Sequence, residues 1–363
     1  MKIVDIIAGA RPNFMKIGPI IRAMEDRRQM GGDLGYRLVH TGQHYDARMS
    51  GDFFTQLNIP EPHVNLEVGS GTQAEQAAAI MVRYEHLLQE QRCDLCLVVG
   101  DVTSTMACAI AAQKSCIPVA HVEAGIRSGD WTMPEEINRM VTDAITNHFF
   151  TTSTFANKNL RRAGVEDGRI HFVGNTMIDT LLANLGRLRA PEFSGDLGLQ
   201  VGGYFVLTLH RPSNVDEISH FAHLLHAIGE AARGLPVIFP VHPRTAKTLR
   251  GLQDIPSSIR PVAPQGYLEF NYLVRHAKAV LTDSGGVTEE ATVLGVPCIT
   301  LRDTTERPET VVIGTNELVG AAPGAVKPAL DRLFAGQWKK GGIPELWDGR
   351  AGERIVAVLE NIL

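Results

Sequence analysis

Residues 94–125 read DLCLVVGDVTSTMACAIAAQKSCIPVAHVEAG. The apolar run LCLVV ends in the turn GD, a helix-like stretch follows, and a second apolar run, PVAHV, ends in the turn EAG. A strand covered on both faces reads as a near-continuous apolar run, and a helix between two such strands is the crossover of a parallel pair. The same alternation extends outward in both directions. KIVDIIAG, YRLVHTG, HFF and HFVGN complete the first half, and YFVLTLH, PVIFPVH, AVLTD and PCITL mark the second. The reading is α/β, with two Rossmann-like, doubly wound parallel-sheet domains. In such sheets the ligand lies outside the carboxyl ends of the strands, where strand order reverses.

A chain of 363 residues suits two cores better than one. The glycine-rich stretch LRAPEFSGDLGLQVGG between the halves has no apolar period and reads as an exposed lead-in. We expect a first domain over 1–173 and a second over 174–349, with an amphipathic helix at 350–363 packing back on the first. Hydrophobic residues at 44% and charged residues at 21% match an ordinary globular protein. A net charge of -5 supplies no positive field for nucleic acid or anionic lipid. No apolar run approaches the roughly 18 residues of a membrane span, and the start lacks a signal peptide's cleavage region, so a cytoplasmic protein is expected. Cys93 and Cys96 form a C-x-x-C pair at the entry to a strand rather than a helix, which favours buried structural thiols over a redox or zinc pair.

The strand-end turns carry the chemistry. GARPNFMK places Arg11 and Lys16 beside a helix N-terminus, where two cations suit an anion. No G-x-G-x-x-G or Walker loop follows that first strand, which removes support for nicotinamide, flavin or nucleoside-triphosphate chemistry. Asp101 ends a strand, with helix capping as its ordinary role. HVEAGIRSGDWTMPEEINR packs Glu123, Arg127, Asp130, Glu135, Glu136 and Arg139 between a strand and a helix. One of Glu135 and Glu136 is expected to be an ordinary first-turn acid. In the second half, His210 with Arg211 and then His242 follow successive strands. Ser284, Gly285 and Gly286 open a helix whose free N–H groups suit a diphosphate. Glu290 on that helix suits the hydroxyls of a ribose, and Arg307 either the phosphates or the joining of the lobes.

Taken in order, GARPNFMK, TGQHY, GDVTST, VEAGIRSGD, PEEINR, the His210-Arg211 pair, TDSGGVTEEA and RDTTERPE resemble the motifs of the non-hydrolysing UDP-N-acetylglucosamine 2-epimerases. The resemblance implies a GT-B architecture with the active site in a cleft, a homodimer, and no metal or redox cofactor. Carried over position by position, it implies catalytic roles for Asp101, Glu123, Glu135 and His210. It implies substrate contacts for Arg11, Lys16, Arg139, Gln265, Phe270, Ser284, Gly285, Gly286, Glu290 and Arg307, with Gln265 and Phe270 at the uracil. Gln43, His44, Arg211 and His242 would be the counterparts of an allosteric nucleotide-sugar site. Asn13 stands where the family usually has glutamate, and Pro212, Ser213 and Asn214 replace its usual Arg/Glu-Glu-Asn. The implied reaction inverts carbon-2 of a UDP-2-acetamido sugar by expelling UDP to a 2-acetamidoglucal and adding it back. A GT-B glycosyltransferase would need an acceptor groove, for which no apolar or basic patch is evident. A non-catalytic UDP-sugar sensor could lose Asp101, Glu123 and Glu135, and all three are present.

Overall fold

The computed structural model describes residues 1–42, 56, 57 and 59–363. Two compact units divide them: Met1–Ala183 with Glu345–Leu363, and Asn184–Pro344.

In the first unit, strands β1 (Lys2–Ala8), β2 (Leu34–His40), β3 (Val64–Asn65), β4 (Leu95–Val99), β5 (Val119–Val122), β6 (His148–Thr151) and β7 (Ile170–Phe172) pair in the order β3-β2-β1-β4-β5-β6-β7. Every pairing is parallel. Helices α1 (Arg11–Gln29), α2 (Gln73–Glu90), α3 (Thr103–Lys114), α4 (Pro134–Ile145), α5 (Thr154–Arg162) and α6 (Thr176–Asn184) lie among these strands in the chain. Local chemistry starts several of them. Thr72 and Glu75 form a reciprocal capping box at α2, and the Ser153 hydroxyl caps α5. Pro12 and Pro134 supply helix-ready φ angles at the starts of α1 and α4. Between the sheet and α2 and α3 lies a core of Ile7, Val39, Ile80, Tyr84, Val98 and Ala107. Cys93 and Cys96 are buried free thiols, with burial pushing Cys93 up to about 12.

The second unit repeats the plan with β8 (Phe205–Thr208), β9 (Val237–Pro240), β10 (Ile259–Val262), β11 (Ala279–Thr282), β12 (Cys298–Thr300) and β13 (Asn316–Leu318), in the order β10-β9-β8-β11-β12-β13. Its pairings are also parallel throughout. Helices α7 (Ile218–Ala231), α8 (Pro243–Arg250), α9 (Tyr267–His276), α10 (Gly285–Leu294), α11 (Pro308–Val312) and α12 (Val326–Phe334) accompany them. Phe205, Leu207, Phe239, Leu281 and Ile299 form the centre of its main core.

The last helix, α13 (Ala351–Ile362), belongs to the first unit. It buries Ile355, Val356 and Leu359, and at Gly352 its backbone comes against the carbonyl of Pro19 on α1. The Gly352 N–H donates to Asp179 Oδ2 on α6 at 2.7 Å. α6 is itself tied to α1, because Thr180 Oγ1 donates to the Met15 carbonyl at 2.5 Å. Those bonds carry the first unit on to Ala183, past the residue-173 boundary drawn from the sequence. Among the described residues no helix is long and apolar enough to cross a membrane.

Strand order reverses between β1 and β4 in one sheet and between β8 and β11 in the other. The turns after β4, β8 and β11 hold Asp101, His210 and Ser284, and Lys16 lies on the helix after β1, at the strand ends where an open parallel sheet places its ligand.

Candidate functional site

In the first unit the β1-to-α1 turn is built by Asn13. Its Oδ1 accepts the N–H groups of Gly9 (3.1 Å) and Ala10 (2.9 Å), and its Nδ2 donates to the Val99 carbonyl at the end of β4 (3.0 Å). The amide thus ties together the two strands on either side of the order reversal. A Cβ at residue 9 would overlap the Ser104 hydroxyl of α3, so glycine is required there by that packing. Ser104 Oγ bonds Thr41 Oγ1 at 2.7 Å rather than capping α3, whose N-cap is Val102 without a side-chain bond.

One turn into α1, Lys16 Nζ donates to Glu123 Oε2 at 2.6 Å, both side chains being buried. Glu123 follows β5 with φ +70, the left-handed region that a non-glycine residue enters at a cost of about 1–3 kcal/mol. Asp101, after β4, receives Nε (3.0 Å) and Nη2 (2.8 Å) of Arg139 on Oδ2. Arg139 also pairs with buried Glu136. Glu136 in turn accepts the N–H groups of Ser128 and Gly129 and the Ser128 hydroxyl, each at 3.0 Å. Glu136 is therefore the acid that builds the turn. Glu135 is half-exposed and makes no side-chain hydrogen bond among the described residues.

Beneath these groups lies a network that the sequence reading missed. His121 Nδ1 meets Asp143 Oδ1 at 2.7 Å and Nε2 meets the Gly100 carbonyl at 2.8 Å. Asp143 also holds the Gly125 N–H (3.0 Å) and Arg127 (2.7 Å). Burial pushes Asp143 up, but His121 and Arg127 outweigh it and keep its carboxyl below the usual range. The backbone flanking Asp101 is thereby fixed against the backbone flanking Glu123.

In the second unit Asp283, at the end of β11, is fully buried and accepts the main-chain N–H groups of His210 (2.9 Å) and Arg211 (2.9 Å). Asn214 Nδ2 donates to it at 3.1 Å, and His210 Nδ1 lies 2.9 Å from Oδ1. Burial raises the Asp283 carboxyl, but the His210 side chain and these donors more than reverse that effect. His242 caps α8 by accepting the Arg244 N–H on Nδ1 at 3.2 Å. Its ring packs 5.8 Å from that of His210. Burial first, then the neighbouring His210 and Arg244, lower the His242 pKa.

Ser284, Gly285 and Gly286 open α10, whose first N–H groups have no intrahelical acceptor. A Cβ at residue 285 would stand 2.6 Å from Glu306 Oε1, so a larger residue at the helix start would have to displace the Glu306 carboxylate. Glu306 pairs with Arg302 at 2.8 Å and with Arg211 at 3.7 Å, and Arg307 pairs with Glu289 at 2.6 Å. Glu290 is buried, takes the Asn271 amide at 3.2 Å, and is lifted by burial to about 7. Asn271 lies on α9, so the QGYLEF segment is brought against Glu290. Gln265 bonds the Ala263 carbonyl at 2.7 Å, while Phe270 packs partly buried on the core around Val206 and Leu273. Gln43, His44 and the side chain of Arg11 lie outside the described residues.

A family model described as UDP-N-acetylglucosamine 2-epimerase matches residues 27–360. The chain belongs to the UDP-N-acetylglucosamine 2-epimerase family. The UDP-N-acetylglucosamine 2-epimerase of Methanocaldococcus jannaschii is 42% identical, with 98% of each chain covered. A UDP-2,3-diacetamido-2,3-dideoxy-D-glucuronate 2-epimerase of Pseudomonas aeruginosa is 39% identical over 89% of each. The crystal structure of the M. jannaschii enzyme with UDP-GlcNAc and UDP superimposes with a TM-score of 0.89 at 41% identity, covering 99% of this chain and 100% of that one. The family resemblance carried by the ordered motifs is thus borne out, as are the isomerase class and two GT-B-like parallel-sheet units.

Proposed function

We propose that this epimerase interconverts UDP-N-acetylglucosamine and UDP-N-acetylmannosamine, or a closely related UDP-2-acetamido sugar. The supporting observation is that the turns after β4 and β5 and the start of α4 carry Asp101, Glu123 and Glu135, two of them already beside a cation. The carbon-2 hydrogen has no neighbouring carbonyl to stabilise a carbanion. Its C–H electron pair instead forms the C1=C2 bond of a 2-acetamidoglucal as the C1–O bond breaks and the pair leaves with UDP. Protonation of carbon-2 from the other face, with return of the diphosphate oxygen to carbon-1, completes the inversion. Such a route needs groups that take and return one proton, typically contributing about 10²- to 10⁴-fold. It also needs preorganised charge on the departing diphosphate, usually the larger effect.

In this reading Asp101, Glu123 and Glu135 move the proton, and Arg139 and Lys16 hold the first two in place. The Ser284 hydroxyl and the N–H groups of Gly285 and Gly286 take the diphosphate, Glu290 takes the ribose hydroxyls, and Gln265 and Phe270 border the uracil. Arg11, His210 and Arg307 add charge or hydrogen bonds at the leaving group. A cytoplasmic homodimer with Arg211 and His242 in an effector site completes the proposal.

Incubation with UDP-N-acetylglucosamine in deuterated water tests it. UDP-N-acetylmannosamine carrying deuterium at carbon-2, without free sugar, is the expected product by proton NMR. Absence of exchange with this sugar, together with exchange in a UDP-2,3-diacetamido uronic acid, would move the substrate to the P. aeruginosa type. Absence with both would reject the epimerase reading.

A further inference from the structure

The four donors on Asp283 do two separable things. The N–H groups of His210 and Arg211 and the Asn214 amide tether the turn after β8. The contact at 2.9 Å to His210 Nδ1 does not tether backbone; it sets the state of the ring. An ionised carboxylate only accepts, so Nδ1 must carry the proton. The carboxylate is wholly buried, whereas the His210 side chain is 37% exposed. The anchored nitrogen is therefore the inner one, and Nε2 is left for a ligand. The His242 ring at 5.8 Å limits the ring's freedom on one side.

We propose that Asp283 is a positioning residue for His210, holding the imidazole in the Nδ1–H form and presenting Nε2 to the bound nucleotide sugar. This rests on the epimerase reading for the reaction served, and on geometry for the Asp283–His210 relation. The exchange Asp283→Asn separates the two tasks. Its side-chain amide keeps an oxygen for the main-chain N–H groups, but an NH₂ turned toward Nδ1 demands a lone pair there and so selects the opposite tautomer.

The experiment is ¹⁵N NMR of the histidine rings in the full chain and in D283N, with steady-state epimerisation by both, by H210N and by D283N/H210N. His210 is expected to be protonated at Nδ1 in the parent and to lose that state in D283N. The parent-to-D283N loss in kcat is expected to be about 10²- to 10⁴-fold, as for a wrong-tautomer histidine, with KM little changed. Adding D283N to H210N is expected to cost less than about threefold, since residues acting as a unit are not additive. An unprotonated Nδ1 in the parent overturns the proposal, whether or not D283N folds. So does an unchanged tautomer in a folded D283N, or losses that multiply in the double variant. If the parent neither exchanges nor epimerises, the epimerase reading fails, and the ring NMR still decides whether Asp283 orients His210.

Discussion

Glu290 is enclosed within the second unit beside Asn271 and Tyr267, and its carboxyl rests at about 7 because burial disfavours the charge. Its folded value exceeds the unfolded one, so its contribution to stability is full below the ordinary carboxylate range and is lost as pH rises through about 7. Glu290→Gln should flatten the fall in melting temperature between about pH 4.5 and 7. Two ribose hydroxyls donating to this carboxylate would favour its charged form, so binding of UDP-N-acetylglucosamine, whose diphosphate has no group titrating there, should release a proton near about pH 6.5. Calorimetry in buffers of different ionisation heat measures that proton, and Glu290→Gln should abolish it. Lys16 and Glu123 present the opposite case, a buried pair at 2.6 Å. Lys16→Met removes the ammonium 2.6 Å from that carboxylate and should cost up to about 3–5 kcal/mol in denaturant unfolding. The sequence revealed the residue types here but not their partners. Glu135 and Glu136 are adjacent and chemically alike, and only the fold turns Glu136 inward onto the Ser128 and Gly129 amides. The signal for Asp283 in the sequence is its place after a strand at the order reversal, which matches that of Asp101.

Elements were legible where they are long and apolar. β1, β4, β8 and β11 are buried through their central residues, and their runs stand out in the sequence. β3, β10 and β13 went unread for physical reasons: β3 has two residues, β10 exposes Arg260 and Pro261, and β13 is the polar edge Asn316–Leu318. Edge strands are covered on fewer sides and need no apolar run. α13 is fastened to the first unit at its N-terminus. Asp179 receives the Gly352 N–H, and burial lifts its carboxyl to about 6. With the folded value again the higher, this contribution is present below the ordinary carboxylate range and lost as pH rises through about 6. Asp179→Asn, which retains an acceptor for Gly352, should remove that segment of the pH dependence. Asp179→Ala removes the acceptor and should speed amide exchange at Gly352 and along the first turn of α13, read by hydrogen-exchange mass spectrometry.

At the scale of the molecule, each unit has its own sheet and its own core, so a single unfolding transition is not required. Deleting residues 345–363 strips Trp347, Ile355, Val356 and Leu359 from the first unit and removes no residue of the second. Scanning calorimetry should therefore show the first unit's transition lowered by several degrees or lost, with the second's kept. Domains tend to finish in the order in which they leave the ribosome. This chain reverses that order, because Glu345–Leu363 belongs with Met1–Ala183 and is translated only after all of Asn184–Pro344. The half that emerges first must wait, with the face of α1 that receives α13 uncovered, through the whole synthesis of the other. It is the newborn chain, rather than the finished enzyme, that has most need of a chaperone.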